Sequence, residues 1–190
     1  MKLIRVPLNQ KLKMAPHARL IEHLAQLEKL GISLDMDNGP WLAGGSLLRM
    51  LFTGEFPSKD IDLDIFIPKG FDTSGLKDDY EFNEAYGRRG FTISAFNGLN
   101  GYKYQLIHTQ ETGIKAILEG FDLTCVQFAT DGKVLIGSEE GFYDTDRGEI
   151  RKTGSGNHQS TPHRIMKFKE IGLTYQEPEK KDEPEDDIPF

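Results

Sequence analysis

Cysteine is almost missing from this 190-residue chain: Cys125 is its single copy, which excludes an internal disulfide framework and fits a reducing compartment. Long apolar runs are missing too. None approaches the roughly 20 residues that a membrane-spanning helix requires. The N-terminus shows no charged-then-apolar leader, so the expectation is a soluble, cytoplasmic protein with no membrane partner. Basic charge is in short supply: 23 Lys and Arg stand against 30 Asp and Glu, a net charge of −7. Most of that excess sits in one place. Residues 177–190 hold seven acids with Lys180 and Lys181, leaving a nearly neutral body. A strongly basic nucleic-acid coat is thereby excluded, whereas a local basic groove is not. The 37% of hydrophobic residues is enough for one domain with a proper core.

Periodicity predicts a mixed α+β chain. Leu20, Leu24, Leu27 and Leu30 recur at helical spacing between Pro16 and Gly31. A short buried strand, Trp41-Leu42-Ala43, should run through Gly44-Gly45-Ser46 into a helix ending near Phe52. From Asp60 to Ile67 aspartates alternate with Ile61, Leu63, Ile65 and Ile67, the clearest strand signal in the sequence. Residues 72–90 are polar and glycine-punctuated, and a short helix with loops is the most expected of them. Residues 91–96 and 102–107 flank the turn-rich Asn97-Gly98-Leu99-Asn100-Gly101 and read as a hairpin. A short helix over 111–118, a strand over 121–129 and a partner strand over 134–136 should follow, the last two joined at Asp131-Gly132. After Gly154-Ser155-Gly156-Asn157 a final helix is expected, with Thr161 as N-cap, Pro162 in the first turn and Ile165, Phe168 and Ile171 as apolar contacts. A domain spanning 1–173 and a disordered acidic tail over 174–190 complete the layout.

Asp60, Asp62 and Asp64 share one strand face, with successive carboxylates about 7 Å apart. Such a row also suits a solvated strand face. Here the intervening residues are all aliphatic, so one side is committed to a core and the acidic side needs neutralising. Hard divalent cations with oxygen ligands, Mg²⁺ (or Mn²⁺), fill that need and hold phosphates as well. Upstream, Gly44, Gly45 and Ser46 lie where a strand meets a helix. Backbone N–H groups and the helix dipole there favour an anion.

Leu42-Ala43-Gly44-Gly45-Ser46 followed by Asp60-Ile61-Asp62-Leu63 resembles the polymerase β-like nucleotidyltransferase superfamily, in particular the head of the tRNA nucleotidyltransferases. The resemblance covers roughly residues 40–130. It implies a mixed-sheet nucleotidyltransferase core with flanking helices and a two-metal transfer of NMP from an NTP, with Asp60 and Asp62 as metal ligands. Asp62 and Asp64 remain the alternative register. Family members carry a third carboxylate on a neighbouring strand, and Asp122 in Phe121-Asp122-Leu123-Thr124 is the candidate for that catalytic and metal-binding role. Arg164 and Lys167, three residues apart on one helix face, are candidate triphosphate contacts, with Arg49 and Lys59 as lesser ones. His108, His158 and His163 show no metal-ligand spacing. A nucleic acid of tRNA type or a protein is the implied acceptor. The small size fits a nucleotide-modifying, phage- or toxin-related enzyme better than a template-reading polymerase.

The terminal Asp186-Asp187-Ile188-Pro189-Phe190 resembles the end peptide of bacterial single-stranded DNA-binding proteins. That resemblance implies docking on a host enzyme of DNA replication, recombination or repair. Phe190 would fill an apolar pocket and its carboxylate would meet a basic side chain. The alternative it implies is an interaction protein that competes for such an enzyme.

Overall fold

The computed structural model describes residues 1–72, 81–83, 92–97, 101–154 and 159–177, with backbone only at 81–83 and 92–97. In chain order the elements are β1 (Leu3–Pro7), α1 (Met14–Lys29), β2 (Trp41–Ala43), α2 (Gly45–Thr53), β3 (Leu63–Ile67), β4 (Glu81–Asn83), β5 (Thr92–Asn97), β6 (Lys103–His108), α3 (Ile114–Glu119), β7 (Phe128–Thr130), β8 (Val134–Ser138), α4 (Glu139–Arg147), β9 (Glu149–Ile150), α5 (Thr161–Lys169) and β10 (Thr174–Tyr175). Among the described residues β1 to β8 form one sheet, ordered β1-β8-β7-β2-β3-β6-β5-β4. The β3–β6 pair is parallel and its other pairings are antiparallel, so the sheet is mixed. A separate parallel pair joins β9 to β10.

Alternation in β3 decides which side of this sheet is core. Leu63, Ile65 and Ile67 are buried at 1% exposure or less and pack with Leu20 and Leu27 of α1, Leu47 and Met50 of α2, and Tyr104 and Leu106 of β6. Ile61, expected to join them, lies ahead of the strand and lines a cavity on the opposite side. Full burial of each of these side chains contributes about 1.5–3 kcal/mol. A second cluster, containing Leu48, Leu123, Cys125, Val126 and Phe168, glues α5 to α2. Burial pushes the Cys125 thiol up to about 12, leaving it a packing residue.

Four sequence expectations change here. The strand over 60–67 begins only at Leu63, because the β6 partners run from Tyr104 to His108 and no ladder partner continues to Asp60. The strand over 121–129 shrinks to Phe128–Thr130. Ahead of it Leu123 makes a single bridge to Lys152 and residues 124–126 form a 3-10 turn, which buries Leu123, Cys125 and Val126 against α2 and α5. Thr161 does not cap its helix: Ser160 precedes the first turn, and the Thr161 hydroxyl donates elsewhere, to Asp122. Thr174 and Tyr175, expected at the start of a disordered tail, pair with β9. Four described elements have no sequence expectation behind them, namely β1, α4, β9 and β4, the last a strand within the 72–90 stretch where a short helix with loops is expected. The expected turn at 98–100, the glycine- and serine-rich residues 155–157, His158 and the tail from 178, with Asp186, Asp187, Ile188, Pro189 and Phe190, lie outside the described residues.

Candidate active site

Gly44 ends the β2 approach with φ +88° and ψ −144°, a conformation essentially restricted to glycine. Gly45 opens α2 beneath Phe168, whose ring edge would stand 3.2 Å from an added Cβ. The first turn of α2 has no side-chain cap hydrogen bond. In that turn Ser46 is 2% exposed, and its hydroxyl is buried without a hydrogen-bond partner. An orphaned buried hydroxyl at a helix N-terminus is a polar group awaiting a ligand.

Ser46 is one of the residues lining a cavity of about 300 Å³, within the range that takes small ligands. Its walls bring together Gly44, Gly45, Ser46, Asp62, Asp64, Asp122, Arg164 and Lys167. Eight of the nine residues singled out in the body of the sequence thus converge from four separate segments. Asp60 does not join them. It is exposed on the turn before β3, where its carboxylate accepts from Ser58 at 3.4 Å. Lys59 is likewise absent from the walls, whereas Arg49 contributes to them and reaches the Lys167 carbonyl oxygen at 3.4 Å.

Each acid in the cavity has a different environment. Asp62 accepts a hydrogen bond from the Gln105 amide nitrogen at 2.5 Å. Asp64 lies two residues further, within β3, and lines the same cavity. Burial, reinforced by the Asp62 carboxylate, raises its pKa to about 7 against the opposing pull of Lys167 and Arg164. Asp122 is 2% exposed and engaged at both oxygens, accepting from the Thr161 hydroxyl at 2.5 Å and from the Arg164 guanidinium at 2.9 Å. It sits on a bend ahead of the 3-10 turn rather than on a strand beside β3.

Among the described residues no group of three or more His, Cys, Asp or Glu is placed to hold a metal ion. The donor chemistry that does fit a hard cation is the Asp62–Asp64 pair, two carboxylates on the wall of one cavity. Phe66, Ile107, Phe121 and Val126 form an apolar end to the same cavity, with Phe66 and Phe121 edge to face at 5.4 Å between ring centres. Sequence reasoning missed Gln105 and this apolar end. The burial of Tyr104 and Leu106 on the other face of β6 is the alternation that places Gln105 and Ile107 here.

Solved structures of known proteins share this architecture. The chain is similar to the Thermotoga maritima CCA-adding enzyme complexed with tRNA, at a TM-score of 0.59 and 17% identity over 93% of this chain and 44% of that one. It is also similar to CCA-adding enzyme structures with ATP and with CTP, at TM-scores of 0.54 and 0.53 and identities of 17% and 18%. The fold is a mixed-sheet α+β architecture similar to that of these CCA-adding enzyme structures. The chain spans less than half the length of these enzymes. No protein-family model and no curated protein matches the sequence. Among the described residues no helix is long and apolar enough to cross a membrane.

Proposed function

We propose that the chain is a metal-dependent nucleotidyltransferase that moves a nucleoside monophosphate from an NTP to a nucleic-acid acceptor of tRNA type. One observation carries this reading: Asp62, Asp64 and Ser46, whose buried hydroxyl at the α2 N-terminus has no hydrogen-bond partner, line the same cavity. Acids that attract a cation and a helix end that attracts an anion, placed together, form a receptor for a metal-bound phosphate chain.

Asp62 and Asp64 are the residues that would hold Mg²⁺ (or Mn²⁺), with Asp60 outside the site. A divalent cation supplies charge neutralisation at the phosphates and Lewis-acid polarisation at the α-phosphorus. The chain's own groups do the rest by positioning and electrostatics. N–H groups of the first α2 turn and the Ser46 hydroxyl donate to the triphosphate. Lys167 and Arg164 set positive charge along its path, and Asp122 orients Arg164 through their hydrogen bond. Phe66, Phe121 and Ile107 give the base or ribose an apolar surface. The acceptor hydroxyl oxygen bonds to the α-phosphorus and releases its proton to solvent water, the bond to the bridging α,β oxygen breaks, and pyrophosphate leaves with the displaced electron pair.

The likeness to CCA-adding enzymes, solved with tRNA, ATP and CTP, supports a nucleic-acid acceptor and an NTP donor. The experiment incubates the protein with Mg²⁺, each α-³²P-NTP and either total cell RNA or total cell protein. Label entering RNA, and lost in Asp62→Ala, is the expected result. Label in protein alone overturns the acceptor, and no transfer to either overturns the activity.

A further inference from the structure

We propose that Gln105 sets the number of divalent cations at this site, limiting it to the single ion that accompanies the nucleotide; the inference rests on the nucleotidyltransferase reading. Gln105 stands directly across from Asp64 in the parallel β3–β6 ladder, and its amide nitrogen donates to Asp62 at 2.5 Å. Tyr104 and Leu106 on either side of it are fully buried on the opposite face of β6. The strand thus fixes Gln105 on the cavity side, since a one-residue slip would expose both neighbours.

Two cations in a transfer site lie about 3.5–4 Å apart and need carboxylates to bridge them, with further oxygen ligands on each side. Among the described residues the inventory falls short of that. Asp62 commits lone-pair capacity to the Gln105 N–H. Asp122 is engaged by Thr161 and Arg164, and Asp60 is outside. The triphosphate can complete the coordination of one ion. A second would face the neutral Gln105 amide, whose N–H₂ end points at Asp62, with Arg164 and Lys167 across the cavity. Gln105 acts through Asp62 and is a positioning residue.

The test is an EPR titration of Mn²⁺ into the full chain with the α,β-methylene analogues of ATP, CTP, GTP and UTP in turn, against matched analogue solutions without protein. Wild type should retain one Mn²⁺ per chain with an uncoupled spectrum. Gln105→Glu should retain two and show the exchange-coupled spectrum of a close pair. Two coupled ions in wild type, or one in folded Gln105→Glu, overturns the inference while leaving the nucleotidyltransferase reading intact. Where Gln105→Glu fails to fold, the wild-type spectrum decides: a coupled pair overturns the inference and a single uncoupled ion supports it. Absence of protein-bound Mn²⁺ in wild type with every analogue removes the parent reading and this inference with it.

Discussion

The Arg164 guanidinium donates to Asp122 at 2.9 Å, and through that bond helix α5 is fastened to the bend ahead of the 3-10 turn. Asp122 is buried while Arg164 is 45% exposed on its side chain, so the two partners are not equivalent. Removing Arg164 strands a buried carboxylate. Breaking such a pair from one side costs about 3–5 kcal/mol in buried settings, and the exposure of Arg164 reduces this toward the lower figure or below. Arg164→Ala should therefore melt at clearly lower temperature than Lys167→Ala in a thermal scan; equal melting temperatures would remove the pair from the account of stability.

Asp62 and Asp64 face the cavity and Asp60 does not. Asp62→Ala and Asp64→Ala should each lower label transfer by roughly 10²-fold or more, the scale of losing one preorganised electrostatic group. Asp60→Ala should stay within about threefold of wild type. A comparable loss in Asp60→Ala would restore the Asp60–Asp62 register.

Ser46→Ala should separate stability from binding. The hydroxyl is buried without a partner in the free protein, so its removal relieves a desolvation cost and should leave the melting temperature unchanged or higher. Nucleotide binding should weaken by about tenfold, the scale of one hydrogen bond to a charged phosphate. Calorimetry with an NTP analogue measures the second effect; unchanged affinity would place the triphosphate elsewhere.

Metal-free protein should show a pH dependence traceable to Asp64. Its pKa rises from 3.8 to about 7 on folding, so between those values the folded chain holds a proton that the unfolded chain has released. Stability from this group is complete below the unfolded value and is lost as pH rises through the folded one. Three pKa units correspond to about 4 kcal/mol, an upper bound for this contribution. In EDTA, Asp64→Asn should gain stability relative to wild type on going from about pH 5 to about pH 8, and Mg²⁺ should shrink the difference. A constant difference across that range would contradict the assigned environment.

Several of these residues are legible in the amino-acid sequence alone. Strict alternation over 60–67 identifies an aliphatic core face, and Gly44-Gly45-Ser46 after a short apolar strand marks a turn into a helix; both signals are local and both hold in β3, β2 and α2. Asp122, Arg164 and Lys167 also stand out in the sequence, and they line the same cavity.

By itself, then, the sequence determined the mixed α+β character, the faces of its strongest strand and the glycine turn that leads into α2. Those features follow from side-chain period and glycine geometry, which act within a few residues. Only the tertiary structure decided where β3 begins, because a strand ends where its ladder partners end, and β6 offers none beyond Tyr104 toward Asp60. It alone turned Asp122 from a strand residue into the anchor of Arg164, since burying Leu123, Cys125 and Val126 under α5 bends the chain there. It alone set Gln105 against Asp62, a contact 43 residues apart that no local pattern encodes.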